Sequence, residues 1–217
     1  MRIIEFWKKY GFIKIVELSL SELSRLVNPI WWFNYLNFKR KCKSFGKNVR
    51  IKGDIDARVF QNSEIHIGDN VRLDGNLEIW ARENSKIFIG DGTHIEKFAR
   101  LNAANGSVLK IGKNCYIGRF FAVNCFKKIE IGDECLIAGG FVTDTDHNYK
   151  DRIMKEENFV TTPTYIGNNV WLGYNCAILR GSIIGDGSVI GANAVVKGKV
   201  PPRSIMIGVP ARIIKKR

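Results

Sequence analysis

The pair Ile-Gly, followed by Asp, Asn or Lys, recurs at Ile67, Ile89, Ile111, Ile131, Ile166 and Ile184. The intervals are 22, 22, 20, 35 and 18 residues, or 18 plus an excess of 4, 4, 2, 17 and 0. Eighteen is three sixes, and the sixes are visible in the sequence. IGKNCY is followed by IGRFFA, and IGDECL by IAGGFV. Residues 166–195 read IGNNVW, LGYNCA, ILRGSI, IGDGSV, IGANAV without a break. Each six opens on an aliphatic residue, usually has a small residue second, and carries a small or β-branched residue fifth. A fixed short period of this kind marks a solenoid. The spacing predicts a triangular coil. Its first residue points inward, its fifth sits at a corner, and Gly and Asn between them take the tight turns. Successive coils stack as parallel strands ~4.8 Å apart, so each covers its neighbour. About seven coils over 46–200 would make a mainly β prism ~35 Å tall.

Charge separates the ends from this body. The formal net charge is +13, with +8 in residues 1–50, +7 in 197–217 and −2 between them. A nucleic-acid binder more often spreads positive charge along its body, so anionic partners are expected at the ends and no nucleic acid is. No GxGxxG or GxxxxGK[ST] occurs, which excludes the common nucleotide loops. The five cysteines are odd in number and form no CxxC, as suits free thiols in a reducing cytoplasm. Cys115, Cys135 and Cys176 fall at the fifth place of a six and read as buried small hydrophobes. No run of 18 apolar residues occurs, so no membrane span is expected, and Glu5, Lys8, Lys9, Lys14 and Glu17 break up any cleavable leader.

A scaffold this regular makes departures informative. The largest is the 17-residue excess between Ile131 and Ile166, a polar excursion over 143–165. Long excursions in compact proteins usually carry function. His147 stands where it begins, next to Asp144 and Asp146. An imidazole with a pKa near ~6.5 can accept a proton near neutral pH, and a carboxylate could orient it. The two other histidines, His66 and His94, lie at outward strand positions and read as solvent-exposed. Three histidines so far apart in sequence argue against a bound zinc ion; no metal is expected.

The hexads resemble those of the hexapeptide-repeat acyltransferases, and the likeness covers about 47–200. It implies a left-handed parallel β-helix. DTDHNY, a loop and then IGNNVWLGYNCAIL resemble the sugar O-acetyltransferase branch, which includes galactoside and maltose acetyltransferases. The resemblance implies His147 as the general base that deprotonates an acceptor hydroxyl while it attacks the thioester of acetyl-CoA. A backbone N–H would hold the oxyanion. It implies Asn124 near the acceptor, with Asp144 or Asp146 orienting His147. For CoA it implies Trp171, Tyr174, Ala192, Lys197, Gly198, Arg212 and Lys215, and it implies a homotrimer with sites at subunit seams. The function expected is O-acetylation of a sugar in surface polysaccharide assembly. N-acetylation of an amino sugar or of a xenobiotic stays open as the alternative, and a non-catalytic scaffold is disfavoured by His147.

Residues 1–45 do not follow the hexad. Ile3, Phe6, Tyr10, Ile13, Val16, Leu20, Leu23 and Val27 form a helical stripe, which Asn28-Pro29 should stop. Trp31, Trp32, Phe33, Tyr35 and Phe38 precede five basic residues between Lys39 and Lys47. Aromatic rings beside Lys and Arg suit the headgroup level of an anionic membrane. A lipid-linked glycan acceptor and peripheral contact with the inner membrane face are one expectation; a helix covering the open end of the coil is the other. Residues 201–217, with Pro201, Pro202 and Pro210, read as a basic tail that leaves the prism.

Overall fold

The computed structural model describes residues 29–150 and 158–217. The stripe over 3–27 and the middle of the 143–165 excursion lie outside them. Three sheets of eight, nine and seven strands form the body. Strands join them in rotation: Val108–Ile111 lies in the first sheet, Tyr116–Ile117 in the second and Ala122–Cys125 in the third. Every pairing between coils is parallel, so the chain climbs as a parallel β-helix of seven full circuits. The hexads predicted this architecture.

The register explains the repeat. Phe45, Ile67, Ile89, Ile111, Ile131, Ile166, Ile184 and Val200 stack in one column of the first sheet. The six isoleucines are buried. The glycine after each is forced by distance. A Cβ on Gly112 would stand 2.5 Å from the Gly132 carbonyl, where no atom fits. The Asp or Asn that follows reaches to the coil beneath. Asp91 Oδ1 accepts the Asp69 amide at 2.9 Å, Asp133 that of Lys113 at 2.8 Å, Asn168 that of Asp133 at 2.8 Å and Asp186 that of Asn168 at 2.7 Å. The Asp69 amide and Lys113 hold the Asp91 carboxyl below its ordinary range. Asn114, at the fourth place, takes φ 52°, a left-handed conformation that asparagine tolerates.

The fifth place is small for a second reason that periodicity does not reveal. Its thiols and hydroxyls donate to the next coil. Thr93 Oγ1 donates to the Gly112 carbonyl at 2.8 Å, Cys115 Sγ to Gly132 at 3.1 Å, Cys135 Sγ to Gly167 at 3.1 Å and Cys176 Sγ to Gly191 at 3.0 Å. Buried hydroxyls here are therefore satisfied. Phe121 breaks the size rule and fills the prism, fully buried.

Both ends are covered. Helix α1 runs Pro29–Lys41 and opens on its proline, whose missing N–H costs nothing in a first turn. Phe38 is 2% exposed and Tyr35 packs on the same cluster. Both rings meet Phe45 edge-on, at 5.5 Å from Tyr35 and 6.2 Å from Phe38. The described part of the N-terminal segment thus covers the first coil. At the other end, Pro201-Pro202 does not release the chain. Strand Ser204–Gly208 still pairs with Val189–Ile190, and only then does Ala211–Lys216 fold back antiparallel on it. The second sheet therefore extends beyond residue 200, and the expected tail is its edge strand.

Candidate active site

The coil opens at the corner between the third and first sheets. Strand Gly140–Thr143 ends the third sheet's part of its circuit; the next first-sheet strand begins only at Thr164. Between them Thr145–His147 pairs antiparallel with Phe159–Thr161, His147 opposite Phe159. The excursion is a hairpin standing off the prism. Its first strand has His147 at its outer end, exposed. Among the described residues nothing hydrogen-bonds the imidazole, which leaves it open to an incoming group.

The two carboxylates do other work. Asp144 is fully buried. Its oxygens accept the amides of Phe126, Lys127 and Lys128 at 2.7, 2.8 and 2.6 Å. Its own backbone bonds Asn124 on one side and Thr162 on the other. Asp144 thus pins the root of the hairpin to the turn below. Asp146 accepts Arg180 Nε at 2.8 Å, and Arg180 Nη1 donates to Thr162 at 2.9 Å. That pair braces the hairpin from the coil above. Neither carboxylate holds the His147 ring in this structure. A buried carboxylate beside three glycine-poor turn amides leaves no periodic mark, so sequence reading could not separate these roles.

Asn124 faces outward and half-buried on the third sheet, in register with Asn102 below and Thr143 above. It lies in the coil directly beneath the hairpin's root. The seven residues expected at CoA divide between two corners. Trp171 is exposed on the second sheet, in one column with Val189, Ile205 and Lys215. Tyr174 and Ala192 are exposed where the second sheet turns into the third, and Arg212 lies opposite Ile207 on the edge strand. Lys197 and Gly198 lie at the other corner, on the hairpin's side. The third sheet separates the two groups, through strands Cys176–Ile178 and Val195–Val196 at these coils. A single protomer does not bring them together.

The thiols of Cys125 and Cys42 are not ready nucleophiles. Burial, with the Asp144 carboxylate next to it, pushes the Cys125 thiol up to about 12. Burial does the same to Cys42. The two remaining histidines are partnered rather than free. His66 bonds Ser44 and Glu64 at 2.9 and 3.0 Å. His94 bonds Asp74 at 3.0 Å. Asp74, His94 and Glu96 place ligand atoms within 4.8 Å of one another. Yet Arg72 already binds Asp74 at 3.0 Å and Arg119 binds Glu96 at 3.0 Å, the pattern of a surface ion-pair network. Burial disfavours the Asp74 anion, but Arg72 and His94 outweigh it and hold its carboxyl below the ordinary range.

Comparison with known proteins follows the geometry. Residues 163–198 match the bacterial transferase hexapeptide (six repeats), and residues 108–144 match the hexapeptide repeat of succinyl-transferase. A galactoside O-acetyltransferase of Escherichia coli K12 is 40% identical over 88 residues, 40% of this chain and 43% of that protein. WbbJ of the same organism, named for O-acetyl transfer in lipopolysaccharide biosynthesis, is 39% identical over 100 residues, 42% of this chain and 51% of that protein. The chain therefore spans about half the length of the curated relatives it matches. The polySia-specific acetyltransferase NeuO has a similar structure, with TM-score 0.64 and 26% identity over 80% of this chain and 74% of that one.

Asp144 and Asp146 should respond differently to substitution. Asp144→Ala removes the shared acceptor of three part-buried amides and is expected to cost about 3 kcal/mol or more in urea unfolding. Asp146→Ala removes one part-exposed ion pair and is expected to cost under about 1 kcal/mol. Equal costs would contradict the assignment of Asp144 as the hairpin's anchor.

Proposed function

We propose that this chain transfers an acetyl group from acetyl-CoA to a hydroxyl of a sugar, with His147 as general base, in the making of a surface polysaccharide. The observation that carries the reading is the hairpin: the first strand of the coil's long interruption ends on an exposed imidazole that no described residue engages. The relatives are named for galactosides, lipopolysaccharide biosynthesis and polySia, so a sugar acceptor is what their names have in common, and two of the three name O-acetyl transfer.

In this reading a ring nitrogen of His147 takes the proton of the acceptor hydroxyl as its oxygen attacks the thioester carbon. The carbon–sulfur bond then breaks, and the departing thiolate takes the proton back from the imidazolium. Asn124, one coil below, offers an amide to a neighbouring hydroxyl. Trp171, Tyr174 and Ala192 would line the pantetheine path, with Arg212 and Lys215 suited to the phosphates of CoA. Lys197 and Gly198 belong to the hairpin's corner. The two corners meet across a seam between parallel neighbours, which favours a cyclic homotrimer.

The basic end of the prism suits a cytoplasmic protein resting on the inner membrane face. Helix α1 ends on Lys39, Arg40 and Lys41, and Phe33 is 68% exposed. No helix among the described residues is long and apolar enough to cross a membrane. Contact there would bring the prism to a lipid-linked glycan.

Three measurements test this reading. His147→Ala should lower acceptor-dependent CoA release at least ~100-fold, and a variant keeping more than about a hundredth of the rate would exclude general-base catalysis. Light scattering should give three times the 24.6 kDa chain mass; a monomer at working concentration removes the seam. The full chain should co-sediment with vesicles rich in phosphatidylglycerol and lose that binding when Lys39 and Arg40 become Glu. No sedimentation of the unaltered chain ends the membrane contact.

A further inference from the structure

The structure assigns a second reactive centre, away from the hairpin: Ser44, His66 and Glu64 form a hydrogen-bonded chain that makes Ser44 a nucleophile toward activated carboxylic esters. This centre goes beyond the acetyl-transfer reading and does not depend on it. Four coil steps, ~19 Å at ~4.8 Å each, separate Ser44 from the circuit that carries the hairpin's root.

Three strands of the first sheet assemble the chain. Ser44 opens the edge strand Ser44–Phe45 and is exposed. His66 lies in register with it one coil above, and Phe88 one coil above that. Glu64 precedes His66 by two residues on strand Glu64–Ile67, so both side chains leave the same face. Ser44 Oγ and His66 Nδ1 stand 2.9 Å apart, and His66 Nε2 stands 3.0 Å from Glu64 Oε2. The Phe88 ring stacks on the imidazole at 4.5 Å and 11°, which fixes the plane in which both bonds lie. The side chains of His66 and Glu64 are only 22% and 25% exposed, so their bond is partly shielded while the serine oxygen stays within reach.

The partners decide where the proton sits. His66 and Lys86, the latter at 3.1 Å, hold the Glu64 carboxyl below its ordinary range. An ionised carboxylate only accepts, so Nε2 carries the ring proton and Nδ1 turns its lone pair to the Ser44 hydroxyl. A hydroxyl bonded to a base that a third group orients is the arrangement of an activated nucleophile. Among the described residues no serine or threonine bonds His94 or His147, so His66 alone has this setting. In the reaction Oγ bonds the acyl carbon while its proton passes to Nδ1. The bond from that carbon to the leaving oxygen breaks, and the imidazolium returns the proton to the departing group. Water then attacks acyl-Ser44, again through His66, and frees the carboxylic acid. Glu64 is a positioning residue. The centre stands on an open sheet face, so its acyl donors are small and carry a leaving group that departs as a stable anion, such as an aryloxide.

A fluorophosphonate probe tests this, since its phosphorus takes the serine oxygen and expels fluoride in the same way. Peptide mass spectrometry of the full chain should place the label on Ser44, and 4-nitrophenyl acetate should acetylate the same serine. The folded chain should be labelled there at least ~100-fold faster than the chain unfolded in denaturant, where that serine has no histidine beside it. This comparison needs no variant. His66→Gln should lower the folded rate as much, and His147→Ala should leave it unchanged. Glu64→Gln should lower it at least ~10-fold at an unchanged melting temperature, and nitrogen NMR should then show the His66 ring proton no longer confined to Nε2. Ser44 left unmodified by either reagent, a folded rate no faster than the unfolded one, or the full rate in a folded His66→Gln would each overturn the centre. A full rate in Glu64→Gln would remove Glu64 from it. Loss of CoA release in His147→Ala with Ser44 labelling intact would show the two centres to be separate.

Discussion

Everything in this molecule depends on how closely one coil lies on the next. Backbone amides of each strand are satisfied by the coil beside it, so the spacing is set by hydrogen bonds and not by side chains. At that spacing the residue after each stacked isoleucine has no room for a Cβ, as the 2.5 Å approach at Gly112 shows. The same closeness lets a side chain from one coil reach a backbone group of its neighbour. The Asp91, Asp133, Asn168 and Asp186 ladder does so at one corner, and the Thr93, Cys115 and Cys135 ladder does so inside it. These contacts turn a weak local repeat into a rigid prism.

Rigidity of this kind makes a stable platform and two problems. The first is the ends, where a coil has no neighbour. Here Phe38 and Tyr35 of α1 cover one end, and the antiparallel strand Ala211–Lys216 finishes the second sheet at the other. The second is how to place a chemical group on a surface that repeats. The hairpin at His147 solves it by leaving the coil, and its root needs an anchor that the repeat does not contain. Asp144 supplies that anchor by turning a buried carboxyl toward three backbone amides. A buried polar group is tolerated when its hydrogen bonds are made.

Some of the site could be read in advance. His147 stood out because the repeat was strict and the interruption was long. Asn124 and Trp171 entered through the family resemblance alone, and the structure puts both facing outward. The expected orienting role of Asp144 and Asp146 was not legible, since a carboxylate beside a histidine in sequence points elsewhere once a hairpin twists the backbone.

The sequence by itself determined the coil, because an inward aliphatic, a missing Cβ and a left-handed asparagine recur at fixed places and each has a local cause. It also determined where the coil must break. Only the tertiary structure decided which carboxylate is buried, that residues 204–208 remain in the prism, and that the residues expected at CoA occupy two corners across the third sheet. Those outcomes depend on contacts between positions about eighteen or more residues apart, and a period in the chain specifies that such neighbours exist without saying which side chains will meet.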